Sequence, residues 1–423
     1  MTQRSLWTPL PQGSPAPCNR YRHACCAHRG DVYMLGGRDK MMLRDFWKYS
    51  VVRNDWIELD CSSEWAPEEL EGHSMVSHQG ILYIFGGLID SAYTDWKIPL
   101  WLFDTEKEEW RYSQGQSRPS QPVPLNRKGH SAVVLGSAMY VYGGYIDIRG
   151  SSQELWKYEF DTGMWSLLSG VQGEQGPGPR HGHAAAAHQQ AMYLYAGLSG
   201  LREQRDLWRW SQTNHTWSYI KTHSGPSKLV GHSMVLYRDS LLVFGGGDTH
   251  SSPVNALWRL DLTSTSHAWD KMAAVKGSGP PGKTHHCAVG LGPGFQPSSS
   301  SSTTASLAGS PRASPTPVGK FRPFKNKLSP APSPLLEGAI ELQMLRPERG
   351  LKDYEEDLKE DPLSRSCLTF ENQNAFQKHW DAEVSSDCSE ESIEQHLPEA
   401  MLMIGGKPLL CGKASISVWQ MAF

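Results

Sequence analysis

The stretch from Gly129 to Trp165 reads GHSAVVLGSAMYVYGGYIDIRGSSQELWKYEFDTGMW, and it decides the fold of the chain. Its apolar runs (GHSAVVL, AMYVYGG and ELWKYEF) are followed by DTGMW, and Gly or Asp residues bound them. Alternating, β-branched and aromatic runs with such boundaries predict β-strands. The connections, including a turn read as the single residue Gly136, are too short to contain helices. The stretch therefore predicts a four-stranded antiparallel meander.

Copies of this unit recur along the chain, as the meander requires, because a single sheet cannot cover its own two faces. Each copy has a first apolar strand, a second strand ending in a double glycine, a third strand with Leu-Trp or an equivalent, and a Trp after a short turn. The double glycines begin at residues 36, 86, 143, 196 (as Ala-Gly) and 245, so the spacings are 50, 57, 53 and 49 residues.

This motif set resembles the kelch repeat, whose expected period is about 50 residues. The resemblance covers about three quarters of the chain and implies a β-propeller in which each repeat forms one blade. The double glycine permits positive φ or a close approach of a neighbour, and the late Trp fills the wedge between adjacent sheets. In the fourth copy Ala196 replaces a glycine, which predicts a local distortion but not the loss of the blade.

A sixth copy is split between the two ends of the chain. Its first strand lies in residues 284–289, its second, with a double glycine, in 400–407, and its third in 416–423. The segment Ser5–Leu10 has the character of a fourth strand without predecessors. Pairing it with the last blade closes the ring and leaves no exposed sheet edge. We therefore predict an all-β fold, a six-bladed kelch β-propeller closed by an N-terminal strand, with a long disordered insertion in the last blade.

The insertion divides the predicted domains. Residues 1–291 hold the N-terminal strand, blades one to five and the start of blade six, 292–398 the insertion, and 399–423 the rest of blade six. The insertion is first Ser/Pro-rich and then acidic, with 16 Asp or Glu against 6 Lys or Arg in residues 337–398, and such a composition predicts disorder. Its Ser-Pro steps are candidate phosphorylation sites: Ser310, Ser314, Ser329 and Ser333. The basic and aromatic segment Lys320–Lys327 is either a solvated linker or a docking or import peptide gated by phosphorylation.

Composition excludes several classes of protein. The net charge of −3 gives no basis for bulk nucleic-acid binding. The eight cysteines form no CxxC pair and no zinc-like spacing, so we expect reduced thiols in a cytoplasmic or nuclear protein. The N-terminal sequence MTQRSLWTPL lacks the apolar core of a signal peptide. No apolar run approaches the roughly 20 residues of a transmembrane helix, which predicts no membrane insertion.

A histidine recurs at the same phase of each first strand: His23, His73, His130, His183, His232 and His285. Histidines in phase suggest a metal-binding ring. In a propeller, however, they are distributed around the circle with one in each blade, which favours a structural role. The sequence therefore predicts no metal and no cofactor.

The familiar catalytic motifs do not occur in the chain, whether HExxH, a P-loop, GxSxG or a paired-carboxylate spacing. We therefore expect a protein without enzymatic activity. The resemblance leaves an alternative, because some kelch-like propellers are enzymes of carbohydrate chemistry, among them a copper-radical sugar oxidase and a sialic-acid isomerase. Those enzymes are secreted or periplasmic, and no Tyr-Cys-His constellation is recognisable in this sequence.

The resemblance also implies where a ligand binds, because kelch propellers use the loops between strands two and three and those leading to the next blade. In these loops the sequence places the candidate binding residues Arg38, Arg44, Arg149, Arg202 and Arg205. Guanidinium groups that converge on a propeller mouth hold carboxylate-bearing peptides. The alternative is that these arginines are ordinary solvated loop charges. The insertion joins strands one and two, so we expect it on the opposite face.

The leading hypothesis is a non-enzymatic protein–protein interaction scaffold with a protein or peptide ligand on the propeller loops. A finer version is a substrate-recruiting adaptor that binds ubiquitin-ligase components, although the sequence shows neither a BTB domain nor an F-box. Leu363–Cys367 resembles an elongin-docking box, but Glu371 stands where that box has an aliphatic residue. A cytoskeletal or vesicle-traffic scaffold shares the fold and differs only in its partner.

Overall fold

The computed structural model describes residues 7–89, 98–111, 122–170, 175–248, 250–273, 279–296, 397–408 and 415–423. These residues form six four-stranded antiparallel sheets and two small hairpins, and they include a short 3-10 helix, Pro293–Phe295. Across these ranges, no helix is long and apolar enough to cross a membrane.

The strands of the first three blades follow the repeat in order. The described chain begins with β1 (Trp7–Leu10). Blade one contains β2 (Ala24–His28), β3 (Asp31–Leu35), β4 (Phe46–Ser50) and β5 (Asp55–Leu59). Blade two contains β6 (Ser74–His78), β7 (Ile81–Phe85), β8 (Leu100–Asp104) and β9 (Glu109–Arg111). Blade three contains β10 (Ser131–Leu135), β11 (Ala138–Tyr142), a hairpin of β12 (Tyr145–Ile146) and β13 (Gly150–Ser151), β14 (Leu155–Glu159) and β15 (Met164–Ser169).

The last three blades repeat this order. Blade four contains β16 (Ala184–His188), β17 (Ala191–Tyr195), a hairpin of β18 (Leu198–Ser199) and β19 (Arg202–Glu203), β20 (Leu207–Ser211) and β21 (Thr216–Ile220). Blade five contains β22 (Ser233–Tyr237), β23 (Ser240–Phe244), β24 (Leu257–Asp261) and β25 (Trp269–Lys271). Blade six contains β26 (Cys287–Leu291), β27 (Ala400–Ile404), β28 (Val418–Ala422) and, as its fourth strand, β1.

The first strands surround the central axis. Each contacts the first strand of the next blade, and β26 of blade six contacts β2 of blade one, so the circle is closed. The chain is therefore a six-bladed β-propeller, as the sequence predicts. The turn predicted as Gly136 alone also contains Ser137, which lies between β10 and β11. Gly136 has φ 60°, and a two-residue turn with positive φ matches the twist of its strands.

The closing blade is built from both ends of the chain. Trp7 of β1 lies opposite Met421 of β28, and the pairing continues to Leu10 opposite Val418. The predicted closure by an N-terminal strand is thus confirmed. The inner strands β26 and β27 also pair in full register. The predicted phosphorylation sites, the basic and aromatic segment and the box-like segment all fall in 297–396, outside the described residues.

The late tryptophan of each blade fills the wedge towards its neighbour, as predicted. Five of them pack on an aromatic ring of the preceding blade with centroids 5.0–5.4 Å apart: Trp110 on Phe46, Trp165 on Phe85, Trp217 on Tyr142, Trp269 on Tyr195 and Trp7 on Phe244. Trp56 belongs to the cluster between blades six and one. All of these tryptophans are buried. Since burial of a large aromatic side chain contributes on the order of 3 kcal/mol, these seams hold the ring together.

The first glycine of each pair permits a close approach of the next blade, and the second permits a close approach of the ring histidine in its own blade. In blade three, Gly143 and Gly144 have φ 67° and 92°, a left-handed conformation that favours glycine. A Cβ on Gly143 would lie 3.0 Å from Cε1 of His183 in the next blade, and one on Gly144 would lie 2.8 Å from Cβ of His130. Ala196 takes the first glycine's position in blade four with φ 58°, and its amide keeps the hydrogen bond that the glycine makes elsewhere. The predicted distortion is wrong, because this φ lies within the 56–77° range of the first glycine in the other blades, and the blade is retained.

The histidine ring is confirmed for five blades and corrected for the sixth. Its members are buried: His23, His73, His130, His183, His232 and His286. The predicted sixth member, His285, is wrong, because the chain has two consecutive histidines and His285 takes a left-handed φ of 54°. Its backbone belongs instead to a closed circle of N–H···O=C hydrogen bonds of 2.7–2.9 Å around the axis, formed by Arg22, Gly72, Gly129, Gly182, Gly231 and His285.

Candidate protein-interaction face

The loops that the sequence predicts for ligand binding share one end of the propeller, called the loop face here. It carries the connections between second and third strands and the links from each blade to the next; the other end, the turn face, carries the remaining connections. In blades three and four the loops are stiffened into the hairpins β12–β13 and β18–β19. Positive φ at Ile148, Gly150 and Gly200 forms their tight tips.

Besides the exposed ring of Tyr145 in blade three, each of the first four blades presents one exposed Ile, Leu or Met side chain in the described part of its loop between second and third strands. These side chains are Met41, Ile89, Ile148 and Leu201, and they are 74%, 37%, 88% and 95% exposed. Exposed apolar groups gathered on one surface typically mark an interaction site. These side chains were not predicted from the sequence, because only the charges of these loops were taken as a sign of binding. The signal was an Ile, Leu or Met directly beside a charged residue: Lys40 before Met41, Asp90 after Ile89, Asp147 before Ile148 and Arg202 after Leu201.

The arginines of blade one have partners within the fold. Arg38 Nη1 lies 3.3 Å from Glu71 Oε2 and Arg22 Nη1 lies 3.4 Å from Glu71 Oε1, so two guanidinium groups share one carboxylate. Arg44 donates from Nε and Nη2 to two carbonyl oxygens of the link between blades one and two, at 3.0 and 2.8 Å. The charges at Arg38 and Arg44 are therefore partly compensated before any ligand arrives.

The other three candidate arginines are exposed, and the structure brings two of them together. Arg202 and Arg205 line a cleft of about 670 Å³ between blades four and five, and Lys228 lines the same cleft. Arg149 lies at the tip of the hairpin in blade three. Lys228 was not predicted, because it lies in the link to blade five, far along the sequence from Arg202 and Arg205.

The walls of the cleft combine aromatic rings with charge. Tyr219 and Trp258 line it, and Tyr219 is 55% exposed. Glu203 and Asp206 also line it, but the Asp206 carboxylate accepts hydrogen bonds of 2.8 and 2.9 Å from the buried Arg180. Since Arg180 compensates Asp206, the three cations that line the cleft outnumber its one other carboxylate, Glu203.

Arg180 belongs to a set of buried ion pairs that were also not predicted from the sequence. They join a residue three positions before the ring histidine to an acid at the head of the third strand: Arg20–Asp45, Arg127–Glu154 and Arg180–Asp206. Burial opposes ionisation of Asp45, but hydrogen bonds from Arg20 and Trp47 outweigh it and hold its pKa below the ordinary value. The signal was an Asp or Glu directly before the Leu-Trp or Phe-Trp pair. These arginines position the loops and are not available to a ligand.

Comparisons with known proteins agree with this architecture. The sequence profile of the KLHDC2/KLHL20/DRC7 Kelch-repeats domain matches residues 1–122 and 72–293. The chain is 29% identical over 212 residues to the leucine-zipper-like transcriptional regulator 1 homolog of Drosophila melanogaster, covering 48% of this chain and 20% of that protein. It is 25% identical over 315 residues to human host cell factor 2, covering 66% of this chain and 39% of the relative.

A shorter relative is covered more fully. Kelch domain-containing protein 3 of Rattus norvegicus is 28% identical over 273 residues, which is 59% of this chain and 69% of the relative. The aligned regions thus span well under half of the first two relatives and about two thirds of this one. Because the family profile matches more than half of the chain, the protein belongs to the KLHDC2/KLHL20/DRC7 kelch-repeat family.

Proposed function

We propose that the protein is a non-enzymatic protein–protein interaction scaffold whose loop face binds an acidic, partly apolar protein segment. The observation that carries the proposal is the cleft lined by Arg202, Arg205 and Lys228. Leu201 stands beside it in the same hairpin and is 95% exposed. This combination offers carboxylates a cationic cleft and offers an apolar side chain a neighbouring contact.

The chemistry of the cleft favours a peptide carboxylate over a small neutral ligand. Guanidinium groups bind carboxylates through two parallel hydrogen bonds, and they are desolvated at a lower cost than an ammonium group. The exposed ring of Tyr219 provides a rigid contact of the kind enriched at protein interfaces. Because charge attraction contributes, we expect the affinity to fall as salt concentration rises.

The test compares partners recovered with the wild-type chain and with Arg202→Glu/Arg205→Glu, using affinity purification and mass spectrometry. We expect the double reversal to lose the principal partners and to leave the melting temperature nearly unchanged, since surface changes away from packing usually cost no more than about 0.5 kcal/mol. The matched control is Arg53→Glu/Lys107→Glu, which reverses two exposed cations in turns of the turn face. A partner list unaltered by the first pair, or equally altered by the control pair, contradicts the proposal.

A second, independent variant changes the exposed apolar side chains at the tips of the loops. Ile148→Ser/Leu201→Ser removes the two most exposed apolar side chains of the face without changing its charge. We expect recovery of the same partners to fall, and salt dependence to persist in whatever binding remains. Loss of salt dependence in this variant would mean that the cleft does not contribute to binding.

The finer role that we propose is recruitment of substrates to a ubiquitin ligase in the cytoplasm or nucleus. It rests on the resemblance to kelch proteins, because the segment Leu363–Cys367 departs from the elongin-docking box at Glu371 and lies outside the described residues. Co-precipitation of elongin and cullin proteins with the full chain, and its loss in Leu363→Ala, tests it. Without a ligase component among the partners, the adaptor version fails while the scaffold proposal stands.

A further inference from the structure

The ring histidines differ in what faces them, and the difference follows from a single sequence position. The residue after the ring histidine of one blade points at the ring histidine of the next. In three seams this residue is a serine that shares a hydrogen bond with the histidine Nε2: Ser74 with His130, Ser131 with His183 and Ser233 with His286, at 2.8–2.9 Å. In two seams it is Ala24 or Ala184, and the facing His73 and His232 have no ring-nitrogen partner among the described residues.

At the seam between blades six and one the same position holds Cys287, and it faces His23. Cys287 Sγ lies 3.1 Å from the backbone oxygen of His23. The ring of His23 is buried, and its nitrogens meet no hydrogen-bond geometry with a described residue, but the Cys287 thiol lies near enough to interact with the ring. Cys25, two residues along β2, is close enough to share a hydrogen bond with Cys287. An imidazole and two thiols therefore meet where the ring closes.

The distances suit a metal ion. One ligand atom from each of His23, Cys25 and Cys287 can be chosen so that all three lie within 4.8 Å of one another. Zinc–sulfur and zinc–nitrogen bonds of about 2.3 and 2.0 Å place ligand atoms roughly 3.5 to 4 Å apart, so a small inward shift of the side chains completes the site. In the described ranges of the chain, no other group of three such residues meets this criterion.

We propose that His23, Cys25 and Cys287 bind a thiophilic d¹⁰ metal ion, Zn²⁺ or Cu⁺, that joins the first strand of blade one to the first strand of blade six. Thiolate and imidazole ligands select these ions over Mg²⁺ or Ca²⁺. Both thiols release a proton on binding, so two thiolates compensate the charge of Zn²⁺, whereas Cu⁺ leaves one negative charge. Zn²⁺ needs a fourth ligand such as water, and Cu⁺ accepts three-coordination.

The site has a path for the ion and a consequence for the fold. Both cysteines are partly exposed and lie on the strands that surround the central axis, so we expect an ion to reach them from the axis. The same ion holds together strands that come from opposite ends of the propeller sequence. Because a metal that binds only the folded chain stabilises it, loading should raise the melting temperature.

The experiment loads the full, reduced chain separately with Zn²⁺ and with Cu⁺ under anaerobic conditions and measures stoichiometry, affinity in competition with a chelator, and Tm. We expect about one ion per chain and a higher Tm. Cys287→Ser restores the residue that three other blades carry at this position, so it should fold. Loss of an outer hydrogen-bond partner alone lowers metal affinity about 10–100-fold, so we expect Cys287→Ser, Cys25→Ser and His23→Gln to lower it by roughly 100-fold or more.

Matched controls lie next to the site. Cys26→Ser changes the adjacent cysteine, which packs towards blade two, and His73→Gln changes a ring histidine that faces Ala24 and no cysteine. Both should bind the ion as the wild type does. Equal loss in a control and in its matched ligand variant, or unchanged binding in Cys287→Ser, overturns the proposal.

A readout on the wild-type chain needs no variant. Co²⁺ bound by two thiolates gives a thiolate-to-metal charge-transfer band, which Zn²⁺ should abolish by displacement. The ion that displaces Co²⁺ at the lower free concentration is the one assigned to the site. If neither ion binds the reduced chain, or if Cys25 and Cys287 are found joined in a disulfide that excludes both ions after mild reduction, the site is not a metal site.

Discussion

Blade four and blade six are built from the same parts but differ in how the chain supplies them. Blade four is continuous, and its Trp217 packs on Tyr142 of blade three at 5.0 Å. Blade six takes β1 from the start of the chain, and its Trp7 packs on Phe244 of blade five at 5.4 Å. Their ring histidines, His183 and His286, both meet a serine of the preceding blade. The tryptophan contacts and the histidine–serine contacts repeat because the geometry between adjacent sheets repeats.

The two blades differ in the residues at two positions next to the ring histidine. Three residues before the ring histidine, blade four has Arg180, bound to Asp206, whereas blade six has Lys283, with no carboxylate partner among the described residues. After the ring histidine, blade four has Ala184 and blade six has Cys287. The packing between blades tolerates these exchanges. Distinct chemistry therefore arises where the chain ends meet, while the apolar seam stays the same.

The largest expected effect concerns the ring that both blades share. Burial lowers the pKa of His73, His130 and His286 to about 3 and that of His232 to about 4. Below pH 6.5 the unfolded chain binds protons that the folded chain does not, so the free energy of unfolding falls as pH falls towards 4. At pH 5.5 each histidine lowers it by about 1.4 kcal/mol, and the four together by roughly 6 kcal/mol.

Denaturant unfolding measured between pH 8 and pH 5 checks this prediction. In His130→Asn the free energy of unfolding should fall less as the pH is lowered. The difference from the wild type should equal the contribution of one histidine, about 1.4 kcal/mol at pH 5.5. An exposed control, His215→Asn, should leave the slope unchanged, since the pH dependence comes from burial. Equal slopes in all three proteins would mean that the ring does not control acid stability.

The next effect tests whether the strand from the N-terminus is held as firmly as a continuous one. Trp7→Ala and Trp217→Ala remove side chains that are 5% and 7% exposed, and such truncations cost about 3–5 kcal/mol. We expect similar losses in the free energy of unfolding. A much smaller loss for Trp7→Ala would mean that β1 frays in solution, and deletion of residues 1–12 should then also be tolerated.

A smaller effect separates the two polar positions. Arg180→Met leaves the Asp206 carboxylate without its cationic partner and with only the hydrogen bond from Trp208 Nε1. It should cost about 2–3 kcal/mol, less than a fully buried pair because Asp206 is partly exposed. Lys283 donates to the carbonyls of Gly406 and Pro408 at 3.3 and 3.0 Å, and burial lowers its pKa to about 8. Lys283→Met removes a buried charge that has no carboxylate partner, so we expect stability within about 1 kcal/mol of the wild type.

A pH series supplies the control for Lys283. Its folded pKa lies below the unfolded value, so the wild type should gain stability between pH 8 and pH 10.5 as the unfolded chain loses its extra proton. Lys283→Met should lack that part of the gain. The same gain in both proteins would assign it to other groups and contradict the role of Lys283.

The fold could be predicted from the sequence because its determinants are local and repeated. The strand pattern of Gly129–Trp165 recurs with a period near 50, and the unmatched strand at the N-terminus indicated the closure. The error at His285 arose where two histidines stand together. Sequence phase does not show which of them takes the left-handed position, and the closed circle of backbone hydrogen bonds decides it.

Much of the site could not be predicted, because its residues meet only after the ring closes. Arg202 and Arg205 were predicted, but Lys228 joins them from the link to the next blade. The cysteines showed no metal-like spacing because Cys25 and Cys287 belong to the first and last blades. Loop composition also does not show which charges are compensated. Arg38, for example, forms an ion pair with Glu71, which lies in the link from blade one to blade two.

The smallest effect is expected from replacing residues 297–396 with a Gly-Ser linker of about eight residues. β26 and β27 pair over their full length, and Glu399 accepts hydrogen bonds from Tyr237 and Arg238, so both junctions are anchored. Shortening the connection lowers the loop-closure cost by only about 0.6 kcal/mol for each halving of its length. We therefore expect unchanged or slightly higher stability by denaturant unfolding. As a control, the same linker is inserted between Gly136 and Ser137, where it lengthens the equivalent turn of blade three and should lower stability slightly. If the replacement lowers stability more than this insertion does, residues 297–396 contribute to the folded propeller.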